Sequence, residues 1–119
     1  MSKLTRAGFF REMPHGESFD PSLSASRGDA PGPHQEAIAA YLEAGHLYIA
    51  TPAPTPDVLD RKKLIGPPHY LTDGEYVWPG DAAHYVRTYN VRLPTAFVEH
   101  IMANGFTVPS TVDVTTLKL

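Results

Sequence analysis

Apolar residues recur along this chain with two periods, and the switches between them mark the elements. Ile38, Tyr41 and Leu42 follow i, i+3, i+4 spacing and predict a helix over 34–44. Gly32-Pro33 opens it, since a proline at the first helical position loses no hydrogen bond, and Gly45 stands where a left-handed residue ends it. His46-Leu47-Tyr48-Ile49-Ala50 reads as a strand by composition. Ala82, Tyr85, Val86 and Tyr89 repeat the helical spacing over 79–89, with Pro79 at the start, Asp81 in the first turn and Asn90 as a left-handed stop. Phe97, Val98, Ile101 and Met102 do so again over 94–104. Pro94 opens that helix, Asn104-Gly105 closes it, and Phe106 is placed to fold back onto it. The link between the last two helices is short, which predicts a helical hairpin.

A period of two appears before the second helix. His69-Tyr70-Leu71-Thr72 and Glu75-Tyr76-Val77-Trp78 flank Asp73-Gly74, the strongest short-range hairpin signal, because both central residues of a type I′ turn need positive φ. A two-residue loop pairs Thr72 with Glu75, Leu71 with Tyr76, Tyr70 with Val77 and His69 with Trp78. Alternation then puts His69, Leu71, Tyr76 and Trp78 on one face, and Tyr70, Thr72, Glu75 and Val77 on the other. The first face is the more apolar and is expected to pack on the helices. The pattern predicts an α+β fold: a small, mainly antiparallel sheet with a hairpin at 69–78, packed against about three helices.

The rest is less regular. Residues 1–33 are loop-rich, with Phe9-Phe10 and Phe19 as apolar anchors, a strand conceivable over Phe9–Met13, and a loop or partly disordered segment from Ser22 to Pro33. Prolines 52, 54 and 56 favour polyproline II and exclude a central strand. Val58–Ile65 fits a short helical turn or an edge strand, and Gly66-Pro67-Pro68 closes it. The Thr- and Val-rich tail 107–119 reads as a terminal strand or a loose end. At 119 residues the chain is expected to form one domain.

Composition narrows the function by exclusion. Twelve prolines and a charged fraction of only 19% indicate irregular backbone held by fixed φ angles. With no cysteine there is no disulfide, no thiolate metal site and no cysteine nucleophile. The net charge is −3, and the only basic cluster, Arg61-Lys62-Lys63, is flanked by Asp57 and Asp60. That is not the basic face a nucleic-acid binder shows. No long apolar run suggests a leader or membrane span, so a cytoplasmic protein is the expectation.

Six histidines invite a search for chemistry: His15, His34, His46, His69, His84 and His100. None has the spacing of a zinc motif, so neither a metal nor a cofactor is expected. His84 and His100 fall off the apolar stripes of their helices and are expected in solvent. His69 stands out, opposite Trp78, beside Tyr76 and near Asp81. A small enzyme with a His69, Tyr76 and Asp81 acid–base site can be drawn from them. The simpler reading is a hairpin-end histidine that stacks on tryptophan and bonds backbone. Gly-x-Ser-x-Gly and phosphate-loop glycine patterns are absent. Arg27-Gly28-Asp29 matches an adhesion tripeptide, but in a Ser/Gly/Pro loop chance explains it. Of the aromatic set Tyr70, Tyr76, Trp78, Tyr85 and Tyr89, most should be core and Tyr70 should form an exposed edge. The expected binding residues are His69, Tyr70, Tyr76, Trp78 and Asp81. They belong to a non-enzymatic protein-binding module whose partner is another protein or a second copy.

From Leu71 on, Leu71-Thr72-Asp73-Gly74-x-x-x-Trp78-Pro79-x-Asp81 and then Tyr85-Val86-x-x-Tyr89-x-Val91-x-Leu93-Pro94-x-x-Phe97 resembles a group of small uncharacterised bacterial proteins with the same order of parts. The likeness covers about residues 46–109. It implies the hairpin-plus-helices order and no catalytic residue. The group has no established activity; some small proteins of this size and shape resemble immunity proteins, which neutralise a toxin by binding it.

Overall fold

In the computed structural model, which describes residues 2–51, 53–66 and 69–119, eleven elements follow one another. They are β1 (Ser2–Lys3), β2 (Thr5–Arg6), α1 (Gln35–Glu43), β3 (His46–Ile49), β4 (Thr55–Asp57), β5 (Asp60–Ile65), β6 (Tyr70–Thr72), β7 (Tyr76–Pro79), α2 (Ala82–Tyr89), α3 (Thr95–Ala103) and β8 (Leu117–Lys118). Short 3-10 turns lie at Ser24–Ser26 and Val114–Thr116. The main sheet has the order β2-β7-β6-β3, with β3, β6 and β7 antiparallel and β2 parallel to β7. A β4–β5 hairpin and a parallel β1–β8 pair stand apart from it. This is an α+β fold with a mainly antiparallel sheet against three helices, as the periodicity predicts. No helix among the described residues is long and apolar enough to cross a membrane. The stretch of alternate prolines includes Pro52, and the Gly66-Pro67-Pro68 close includes Pro67 and Pro68. Those three lie outside the described residues.

The hairpin forms with a different register. Thr72 pairs with Val77, Leu71 with Trp78 and Tyr70 with Pro79, so residues 73–76 make the loop. Gly74 has φ +101°, but Asp73 is not in the left-handed region, and no type I′ turn exists. The Asp73 carboxylate replaces it. Its Oδ1 accepts from the N–H of Glu75 and of Tyr76, each at 2.9 Å, while Thr72 Oγ1 accepts from Gly74 N–H at 3.0 Å. Side-chain bonds of this kind stabilise a loop wider than two residues. The slip is an even number of residues, so the paired side chains of Leu71, Thr72, Val77 and Trp78 keep their expected faces. Trp78 is 0% exposed in the main core, with Leu71 packed against that core, and Val77 lies on the opposite face with Leu4 and Phe9. Burial of each such side chain contributes on the order of a few kcal/mol.

The helices stand where the stripes put them, but their ends differ. Pro79 completes β7 instead of opening α2. It lies beyond the last β2–β7 pair, Arg6 with Val77, and so removes no donor from that ladder. His34, not Gly32, precedes α1, in the left-handed region at φ +60°. Gly45 is not left-handed; Ala44 closes α1 at φ −86°. Gly45 is needed for a different reason: a Cβ there would sit 2.6 Å from Trp78 Cζ2. At the end of α3 the expected motif forms, with Gly105 at φ +65°, Gly105 N–H donating to Met102 O and Phe106 N–H to Ile101 O. Asn90, at φ +55°, ends α2 as expected. The expected α2–α3 hairpin gives way to an α1–α2 pair, clamped by Arg87 on Glu36 and Glu43. The cause lies in the link, where Val91 and Leu93 are buried and turn the connection into core.

In the first third, Phe9, Phe10 and Met13 are buried from irregular backbone and not from a strand, and Phe19 is 74% exposed, with the Arg6 guanidinium 5.5 Å from its ring. Ser22–Pro33 contains a 3-10 turn pinned by the buried Leu23 and by Glu12, whose carboxylate accepts from Leu23 N–H and Ser24 N–H. These bonds outweigh the burial that opposes its charge and lower the Glu12 carboxyl to about 2. Val58–Ile65 contributes the strand β5, and the tail contributes β8.

Candidate functional site

Four aspartates are buried. Asp20 pairs with Arg6 at 2.8 Å, and each of the other three faces a histidine. His84 and His100, expected in solvent, are two of those histidines. Their rings leave the apolar stripes but reach buried carboxylates from other elements, a pairing that helical spacing cannot reveal.

Two of the clusters are saturated. Asp57 accepts from His84 Nε2 at 2.7 Å, Tyr89 O–H at 2.8 Å and the N–H groups of Leu59 and Asp60. Burial opposes its charge, but these four donors outweigh burial and hold the carboxyl below its ordinary value. Asp73 accepts from Tyr41 O–H, from the Tyr76 and Glu75 N–H groups and from His100 Nε2 at 2.6 Å, and its carboxyl is lowered in the same way against burial. The second His100 nitrogen lies 3.1 Å from Glu75 Oε2. Burial, with Asp73 adding to it, raises the Tyr41 hydroxyl well above the usual phenol range. Burial pushes the Tyr85 hydroxyl up to about 12, against the Val58 N–H that donates to its oxygen. The first cluster ties the β4–β5 hairpin to α2, and the second ties the β6–β7 turn to α1 and α3. Four protein donors from more than one element converge on each carboxylate, so both read as structural ties.

The third cluster is different. Asp81 Oδ1 lies 3.5 Å from His15 Nε2, too long for a hydrogen bond, although the side chains are only 1% and 10% exposed. Neither ring nitrogen of His15 nor Asp81 Oδ1 has a hydrogen-bond partner among the described residues. Buried polar atoms are normally paired, and orphans of this kind call for an explanation. Two more orphans, Thr51 Oγ1 and Thr55 Oγ1, are found beside His15. All three residues line one open groove of about 510 Å³, together with Tyr70, Ile49 and Leu119. Ile49 is 38% and Leu119 48% exposed. No Lys, Arg, Asp or Glu occurs among the described lining residues.

Local structure explains how His15 comes to be there. Gly16 N–H donates to Met13 O in a turn so tight that a Cβ on Gly16 would lie 1.9 Å from Phe10 O. That turn swings His15 beneath the sheet, where Phe9 meets its ring edge-on at 5.5 Å. Tyr70 meets Phe9 at 5.2 Å and His15 at 6.2 Å, both edge-on, which fixes the plane of the imidazole. Bulged pairing between β3 and β6 sets Ile49 opposite Tyr70 and so brings an aliphatic side chain to the groove.

Of the residues expected from the sequence, Tyr70 lines this groove and Asp81 lies behind His15. His69 borders it: its Nδ1 accepts from Thr51 N–H at 2.8 Å, the backbone bond of the simpler reading. It does not stack on Trp78, because the register slip gives Trp78 to Leu71. Trp78 is fully enclosed and donates Nε1–H to Leu42 O, so it offers no surface to a partner. Tyr76 stacks on Phe97 at 4.7 Å, among the helices. His69, Tyr76 and Asp81 therefore do not converge: each has a different neighbour. His15, Thr51 and Thr55 carry the site and went unread, since no motif marks them; the turn glycine Gly16 beside a histidine was the only local sign. Among the described residues, no three His, Asp or Glu side chains gather in a way that holds a metal ion. No family model, curated protein or solved structure matches the chain.

Proposed function

We propose that this chain is a non-enzymatic binding protein that takes an extended segment of a partner protein into the His15 groove. One observation carries the reading: orphaned buried hydroxyl and imidazole groups share a groove with exposed aliphatic side chains. Hydroxyls and imidazole both donate and accept, which complements the N–H and C=O groups of a peptide. Ile49, Leu119 and Tyr70 supply the apolar wall for one of its side chains. A groove with no lysine or arginine among its described lining residues suits neutral backbone better than phosphate. β3 is the last strand of the sheet, the position at which an extended segment adds, although the tail's 3-10 turn already contacts part of it. Immunity-type neutralisation of a toxin is the sharpest form of the proposal.

The test is selection from a displayed random-peptide library on the folded chain. Enriched peptides should carry an apolar anchor and bind by backbone. They should lose affinity for Ile49→Asp and for the Thr51→Val/Thr55→Val pair, both of which should fold normally. Failure to enrich any sequence, or binders indifferent to Ile49→Asp, would sink the proposal.

A further inference from the structure

We infer that a second site, separate from the His15 groove, takes up a small apolar molecule between α1 and α3. A cavity of about 340 Å³ opens there, within the range that small-molecule sites occupy. Its walls are Ile38 of α1, Val86 of α2, Val91 and Leu93 of the link, and Val98 and Met102 of α3. The buried link is what creates it. Val91 and Leu93 fill the base, while α1 packs chiefly on α2, which leaves a gap toward α3.

The chemistry of the wall selects the occupant. Of the rim's polar side chains, Gln35 and Arg92 are engaged by the protein, and the His34 ring meets Phe106. Gln35 Oε1 accepts from Gly32 N–H and its Nε2 donates to Arg87 O, while the Arg92 guanidinium donates to Asn90 O and Ala30 O. None of the orphaned buried polar atoms belongs to a lining residue. A peptide backbone entering this cavity would lose its bonds to water against a wall that is mostly aliphatic and regain few. A molecule without such groups loses nothing, and cavities lined by aliphatic side chains do accept such guests. The rim is braced: His34 and Phe106 both hold left-handed backbone, at φ +60° and +57°, and their rings meet at 4.9 Å. Strained residues of this kind persist only where their surroundings hold them. Met102, 48% exposed at the mouth, supplies an adaptable thioether chain.

Titration of the full chain with toluene, followed by amide ¹H–¹⁵N shifts, tests this. Saturable shifts are expected at Val91, Val98 and Met102, with none at Thr51 or Thr55. Val98→Phe, which fills the cavity, should abolish them. Met102→Trp, at an exposed position that should leave folding intact by circular dichroism, should also abolish them by closing the mouth. Absence of saturable shifts in the native chain, or undiminished shifts in either folded variant, overturns the inference.

Discussion

Asp57, Asp73 and Asp81 show how much a single carboxylate's surroundings decide. The first two hold four donors each, while Oδ1 of the third has none among the described residues. Replacing a saturated carboxylate strands its donors, so Asp73→Asn should lower stability by about 2 kcal/mol at neutral pH. The sign of the pH dependence follows. The folded-state carboxyl lies below its ordinary 3.8, so its contribution is present above that value and is lost as pH falls through the lower folded one. Thermal melts of native chain and variant should therefore differ at pH 7 and converge in acid below pH 3.8. Gly45 makes a steric counterpart. Gly45→Ala drives a methyl against Trp78, 2.6 Å from Cζ2, and should destabilise by about 1–3 kcal/mol. An unchanged urea midpoint would refute that.

Among the elements, the loop-rich first third is held by a few long-range bonds. Glu12 reaches ten to twelve residues along the chain to accept from Ser22, Leu23 and Ser24, and so caps the 3-10 turn there. Glu12→Ala should cost about 1 kcal/mol, the ordinary loss for a missing cap. Its carboxyl is lowered from 4.5 to about 2, so the contribution is complete above pH 4.5 and fades only as pH nears 2. Hydrogen exchange at Leu23 and Ser24 should rise in the variant while exchange in α1 and β7 stays slow; uniform acceleration would contradict this local role. The β6–β7 hairpin follows the same logic, since Asp73 sets its loop through side-chain bonds where the backbone signal pointed to a tighter turn.

For the molecule as a whole, the two proposed sites lie in different places and use different chemistry: the sheet edge offers hydrogen bonds with an apolar rim, and the helix layer offers an apolar cavity. They should act independently. Ile49→Asp should abolish peptide capture while leaving toluene shifts intact, and Met102→Trp should do the reverse. Coupling of either variant to the other site would show that the helices and the sheet edge move together.

The sequence by itself determined the three helices, the hairpin at 69–78 and the faces of its paired residues. Helical stripes placed α1, α2 and α3 within a few residues, and alternation put Trp78 inside and Val77 on the far face even though the pairing slipped. Both signals are local, carried by neighbours a few positions apart, and an even slip leaves faces unchanged. The asymmetry of Asn104-Gly105-Phe106 was legible for the same reason. What tertiary structure alone decided was who meets whom: His84 with Asp57, His100 with Asp73 and Tyr41, Gly45 with Trp78, and α1 with α2. These partners lie tens of residues apart, and no periodicity encodes which buried donor will find which carboxylate. The candidate site was legible only at its edge, through Tyr70, His69 and Asp81. Its centre is His15 with Thr51 and Thr55, brought together by a glycine turn and a sheet edge. Their distinguishing property, burial without a partner, does not exist until the chain has folded.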